Sequence, residues 1–192
     1  MGVAEAKPFL TVEEYLEGEK HSEIKHEYLG GEVYAMAGAS RQHNLISLNL
    51  AAALRAYTQS GPCQVFMADM MLRLKVLAAD VFYYPDLMVG CDPADTNDFY
   101  LERPTVIVEV LSDSTERTDR REKLWSYLTL DSLQTYLLVS QRRPEITVYE
   151  RAAQWHPLVL GINDTLALPA LGFSAAVAAA YEGLLFKDTA GG

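Results

Sequence analysis

The chain has 192 residues, 49% of them hydrophobic, which is enough to bury a sizeable core within a single domain spanning 1–192. Its formal net charge of -10 excludes a surface that coats nucleic acid generally, because non-specific DNA affinity comes mainly from neutralising phosphates with Lys and Arg. Met1 to Lys7 lacks the basic and apolar regions of a signal peptide, and no apolar run approaches a bilayer-spanning length, so a cytoplasmic protein with no membrane partner is expected.

In chain order, Thr11 followed by Glu14 has the pattern of a capping box, opening a short helix that stops near Gly18. Lys25 to Ala37 reads as a hairpin, with Gly30-Gly31 supplying the positive backbone angles of a tight turn and Glu27 and Glu32 flanking it. Ser40 caps a helix running to about Tyr57, whose apolar stripe is Leu45, Ile46, Leu48, Leu50, Ala53 and Leu54. His43 falls on its first turn. Cys63 and Cys91 form no metal-binding or redox pattern and are expected as two separate small thiols.

Gln64 to Val76 alternates as two strands or one bent strand, Phe82 to Gly90 as another, and Thr105 to Ser112 as a strand buried on both faces. Asp92 to Arg103 is a surface loop. Thr115 to Leu128 reads as a helix turning Leu124, Trp125, Tyr127 and Leu128 inward, followed by a strand at Gln134 to Ser140 and an edge strand at Glu145 to Arg151. Met67, Met70 and Met71 fill core gaps, and the alanine-rich stretch Ser174 to Phe186 is a terminal helix. The sum is a mixed α/β or α+β domain, a central sheet flanked by helices, with an N-terminal helix and hairpin.

Two acidic residues interrupt this pattern. Asp86 sits in Tyr84-Pro85-Asp86-Leu87-Met88-Val89 and Glu109 in Val106-Ile107-Val108-Glu109-Val110-Leu111. An ionised carboxylate taken out of water costs several kcal/mol unless something positive holds it. Two of them on neighbouring strands imply a shared cation, and hard oxygen donors suit Mg²⁺ or Mn²⁺. Pro85, which withholds one ladder hydrogen bond, is placed to re-aim the side chain after it.

Pro85-Asp86, Glu109-Val110-Leu111-Ser112, Asp119-Arg120-Arg121-Glu122-Lys123 and Tyr127, with Glu27 to Tyr34 and His43 upstream, resemble the Uma-type family of restriction endonucleases within the PD-(D/E)XK nuclease superfamily. The likeness runs from about Thr11 to Tyr149. It implies a restriction-endonuclease-like core and a Mg²⁺-dependent DNA endonuclease with metal ligands Asp86, Glu109 and the Val110 carbonyl. The superfamily places a lysine two residues after the second acid, and this chain has Leu111 there. Lys123 on the next helix is then the substitute lysine, or alternatively a surface residue paired with Asp119. Glu27 is a third acidic ligand or an exposed hairpin charge, and His43 a phosphate or proton handler or a surface residue. Arg117, Arg120 and Arg121 are either local DNA contacts or, with the interleaved Glu116, Asp119 and Glu122, a solvated helix face of i,i+3 and i,i+4 pairs, and a homodimer would set two such rims across one duplex. The acidic charge and Leu111 keep two alternatives open: a nuclease-fold module that binds without cleaving, and a metal-dependent hydrolase of a small phosphoester.

Overall fold

The structure, a computed structural model, describes residues 9–112 and 119–186. Helix α1 (Val12–Glu19) carries the expected capping box, with Thr11 and Glu14 bonded reciprocally. The hairpin β1 (His26–Leu29) and β2 (Glu32–Ala35) turns at Gly30 and Gly31, whose φ angles of 58° and 109° fall in the region glycine tolerates best. Helix α2 (Arg41–Thr58) follows, capped by the Ser40 side chain accepting from the His43 N–H. Leu48 departs from the expected stripe and is 51% exposed, while Ile46, Leu50 and Leu54 are buried.

The strands that follow are β3 (Gln64–Met67), β4 (Met71–Val76), β5 (Ala79–Tyr83), β6 (Leu87–Gly90), β7 (Tyr100–Leu101) and β8 (Pro104–Leu111). After a π-helical turn (Asp119–Lys123) and a short helix (Leu124–Tyr127) come β9 (Thr135–Ser140), β10 (Glu145–Glu150), β11 (Leu158–Gly161), β12 (Thr165–Leu168) and β13 (Phe173–Ala176). Two sheets result, ordered β2-β1-β5-β4-β7 and β11-β10-β9-β8-β6-β3, with β12-β13 as a separate hairpin. In the second sheet β8 runs antiparallel to β6 and parallel to β9, which makes it mixed.

Side-chain alternation sorts the core into layers. Val106, Val108 and Val110 of β8 pack with Ile46, Leu50 and Leu54 of α2. Ile107 and Leu111 face the other way, into a core shared with Leu72, Leu74 and Val81 of the first sheet. The far face of the first sheet buries Tyr28 and Phe82 against Tyr15 of α1. A strand covered on both sides must be apolar throughout, which is why β8 reads as a continuous hydrophobic run.

Several expectations are corrected. Phe82 to Gly90 is two strands in different sheets, because the chain leaves the first sheet after Tyr83 and joins the second at Leu87. Pro85 lies in that crossover, where its missing N–H leaves no gap in a ladder. The loop before β8 contains β7. Trp125 is 73% exposed, since the turn at Asp119–Lys123 is π-helical and rotates the following residues away from the α-helical register assumed for them. The start of that expected helix, 113–118, lies outside the described residues. Strand β10 is paired on both sides, not an edge. Met67 is exposed at the end of β3, although Met71 is buried. The alanine-rich stretch is β13 plus one turn of helix (Val177–Ala180). Cys63 and Cys91 form a disulfide, because β3 pairs with β6 through Gln64↔Gly90 and the two cysteines flank that pair. No helix among the described residues is long and apolar enough to cross a membrane.

Candidate active site

The antiparallel register Leu87↔Val108 and Met88↔Ile107, carried one step outward, sets Asp86 beside Glu109 at the seam of the two sheets. On β8, Glu109 projects on the same side as Ile107 and Leu111, between the sheets, and is only 3% exposed. Lys123 reaches this seam from the π-helical turn and is 4% exposed. Glu27 comes from β1 of the first sheet and His43 from the first turn of α2. One cavity of about 630 Å³ is lined by Glu27, His43, Asp86, Glu109, Val110 and Lys123.

The polar contacts fall into two groups. Asp86 is gripped at both oxygens: His43 Nε2 lies 2.7 Å from Oδ1, and the Val110 N–H donates to Oδ2 at 2.7 Å. A carboxylate held by a backbone N–H and an imidazole keeps its orientation without spending a side chain rotamer search on each encounter. Glu109 Oε1 accepts from Lys123 Nζ at 3.1 Å and from the Tyr127 hydroxyl at 2.7 Å. Lys123 Nζ also lies 2.9 Å from Glu27 Oε1, so its ammonium is shared between two acids. That second contact is close but off the hydrogen-bonding axis, and Glu27 Oε1 is buried with no hydrogen-bond partner. Distance governs the charge attraction and angle governs the hydrogen bond, so the ion pair stands and the acceptor is left available.

The aromatic floor tunes this cluster. The Tyr83 ring centre lies 5.4 Å from Lys123 Nζ, a cation–π distance. Tyr127 packs edge-on against Tyr83 and Tyr136, with centroids 5.6 and 5.2 Å away. Burial, reinforced by the Glu109 charge, pushes the Tyr127 hydroxyl well above its ordinary pKa, so it stays a protonated donor. Tyr83 is raised as well, chiefly by burial.

Among the described residues no three His, Cys, Asp or Glu side chains converge as a metal cage. The hard donors that come together are two carboxylates, Glu109 on β8 and Asp86 in the connection just before β6. This fits Mg²⁺, which retains waters and needs only one or two carboxylates, and it does not fit a soft or fully caged ion.

All five acid, histidine and lysine candidates therefore meet at one cavity, and the reading of Lys123 as a surface residue is excluded by its burial. Val110 contributes its N–H to Asp86, a contact the sequence reading did not anticipate. Leu111 packs in the core with Tyr127 and does not line the cavity. Arg121 is exposed on the π-helical turn, whereas Arg117 lies outside the described residues and nothing is described of the Arg120 side chain. Sequence reasoning placed Tyr127 in the core and missed its hydrogen bond to Glu109. The signal was its position four residues after Lys123, which puts both on one helix face.

Comparison with known proteins agrees with this architecture. The profile of the family Uma2, described as "Putative restriction endonuclease", matches residues 12–178. An uncharacterised protein of Synechocystis sp., slr1290, is 37% identical over 182 residues, covering 93% of this chain and 95% of its own length. A second from the same organism, sll1609, is 32% identical over 160 residues, covering 81% and 89%. A crystal structure from Anabaena variabilis, described as a putative nuclease belonging to DUF820, superposes with a TM-score of 0.73 at 15% identity, covering 89% of this chain and 97% of that one. The shared fold is restriction-endonuclease-like, and this chain belongs to the Uma2 family.

Proposed function

We propose that the chain is a Mg²⁺- or Mn²⁺-dependent DNA endonuclease whose metal ligands are Asp86 and Glu109, with Glu27 completing the acidic set and the Val110 carbonyl contributing a further oxygen. The observation that carries this reading is the convergence of Glu27, His43, Asp86, Glu109 and Lys123 on one cavity, although they come from five separate elements or connections. When bound, the divalent ion would polarise the phosphodiester and lower the pKa of a water.

The chain's own residues supply the rest. Lys123 carries the ammonium that Leu111 cannot, near enough to Glu109 to neutralise a phosphoryl oxygen at the same place. His43 and the Val110 N–H fix Asp86, and Tyr127 fixes Glu109, so both carboxylates are oriented before substrate arrives. His43 is also placed to pass a proton at Asp86 Oδ1. Arg121, with Arg117 and Arg120, provides local phosphate contacts, which reconciles DNA binding with the overall negative charge. A homodimer in the cytoplasm would double that rim.

One observation favours a second reading. Lys123 already compensates both Glu27 and Glu109, so the acids are paired without a metal, as suits a nuclease-fold module that binds without cutting. Calorimetric titration of Mg²⁺ or Mn²⁺ into wild type and Asp86→Ala, with a nicking assay on supercoiled plasmid, decides between them. Endonuclease function requires metal binding that Asp86→Ala abolishes together with nicking. Unchanged binding in Asp86→Ala refutes the ligand assignment, and binding without nicking selects the second reading. Turnover of a small phosphodiester with no plasmid nicking would reassign the substrate.

A further inference from the structure

A second and larger cavity, about 900 Å³, opens on the other side of Tyr84 from the acid cleft. Its lining includes Leu16, Phe66, Met70 and Phe99 together with the carboxylates of Asp69 and Asp98, and its floor holds the Glu19 carboxylate and the Tyr84 ring. Tyr84 and Lys25 line both cavities. The Lys25 side chain forms the sill between them: its ammonium donates to the Ala68 carbonyl at 3.1 Å, pairs with Asp69, and lies 5.6 Å from the Tyr84 ring centre. The floor is a built polar patch. Glu19 accepts from the His26 N–H at 2.8 Å and from the Tyr84 hydroxyl at 3.1 Å, which locks the Tyr84 ring in place.

We infer that this cavity receives a nucleobase of the DNA strand whose phosphodiester occupies the acid cleft, the base stacking against the exposed Phe99 ring while its backbone crosses the Lys25 sill. The inference rests on the nuclease reading and extends it to the substrate. Three observations converge. Tyr84 and Asp86 are two residues apart, a span of at most about 7 Å along the chain, which one nucleotide unit covers. Aromatic and thioether walls with polar groups at the floor suit a flat heteroaromatic ring, since every base has a π-face to stack. With a net charge of -10, the protein cannot draw its affinity from phosphates alone, so a base pocket supplies what the surface field withholds. Lys25, which lines both cavities and pairs with Asp69, stands where the linking phosphate passes.

The site selects an unpaired base, because a base stacked in a duplex has both faces covered and cannot stack on Phe99. Single-stranded, mismatched or frayed DNA is therefore the preferred substrate form.

The test uses the full chain and short single-stranded oligonucleotides, titrated by fluorescence anisotropy in chelator and again in Mg²⁺, with an abasic residue moved through the strand one position at a time. Losing a stacked base weakens binding about tenfold, and the expected result is such a loss at one position. A 2-aminopurine at that position should change its emission on binding. Phe99→Ala removes an exposed ring, 55% accessible, so the fold is retained while the abasic penalty disappears; Met67→Ala, at the rim and also exposed, provides a second variant. Equal affinity for intact and abasic strands, or a penalty that persists in both variants, overturns the inference while leaving the acid cleft as a cleavage site if plasmid is still nicked. A penalty at one position with no nicking keeps the pocket and removes the cleavage reading. Binding of no oligonucleotide in either condition overturns both, and an apolar dye displaced from the cavity by peptides but not by oligonucleotides would assign it to a protein partner instead.

Discussion

Lys123→Met isolates the interaction on which the site depends. The substitution keeps the length and most of the apolar stem while deleting an ammonium that lies 2.9 Å from Glu27 and 3.1 Å from Glu109. At an effective dielectric of about 20, each contact near 3 Å is worth roughly 5 kcal/mol of attraction, much of it offset by the cost of taking the groups out of water. Removing one partner of a buried pair leaves the other charge uncompensated, for a net loss of about 3–5 kcal/mol. Urea unfolding followed by far-ultraviolet circular dichroism, in chelator at neutral pH, measures it as a shift in midpoint at unchanged slope. Adding Mg²⁺ should then stabilise the variant more than wild type, because the ion no longer competes with an ammonium for Glu109; a hundredfold excess over the dissociation constant contributes about 2.7 kcal/mol. A loss below about 1 kcal/mol in chelator, the range of an exposed ion pair, would refute the picture of Lys123 as a buried bridge.

Other outcomes follow from the same geometry. Tyr127→Phe deletes the hydroxyl that donates to Glu109 at 2.7 Å and should cost about 1.5–3 kcal/mol in the same urea assay, together with weaker Mg²⁺ binding by calorimetry; unchanged metal affinity would make Tyr127 a packing residue only. Reducing the Cys63–Cys91 disulfide, which closes a separation of 28 residues, should lower stability by about 3–4 kcal/mol, read as a shift in urea midpoint with and without reductant and absent in Cys63→Ser/Cys91→Ser. The Thr11 N–H and hydroxyl hold the Glu14 carboxyl below its ordinary value. A depressed folded pKa gives stability that is present above the unfolded value and lost as pH falls through the folded one. NMR titration should show Glu14 ionising below its ordinary value, and only part of the way back in Thr11→Ala, because the backbone N–H remains.

The capping box of α1, the Gly30-Gly31 turn and the Ser40 cap are local rules in which a residue and its neighbour three positions on settle the backbone, and they were legible before any fold was known. Asp86 and Glu109 were legible for a different reason: a charge in an apolar run is costly wherever the run ends up. What misled was assuming continuity and exposure. Phe82 to Gly90 alternates like one strand, and nothing in that stretch says that its halves join different sheets. Trp125 and Leu48 fit an inward stripe by spacing, yet no face among the described residues covers them.

By itself the sequence determined that Glu109 would lie in an apolar strand with a second acid, Asp86, close to the strand beside it, and that the position two residues past Glu109 carries no lysine, so that the basic side chain would come from elsewhere or be missing. Only the tertiary structure decided that Lys123 arrives there, that it is shared between Glu109 and the distant Glu27, that His43 and Val110 clasp Asp86, and that Cys63 meets Cys91. The physical reason is range. Caps, turns and the penalty for a buried charge are fixed within a few residues of chain, whereas an ion pair between β1, β8 and the turn before Leu124 exists only once the two sheets have stacked and brought interior strands of both to a common seam.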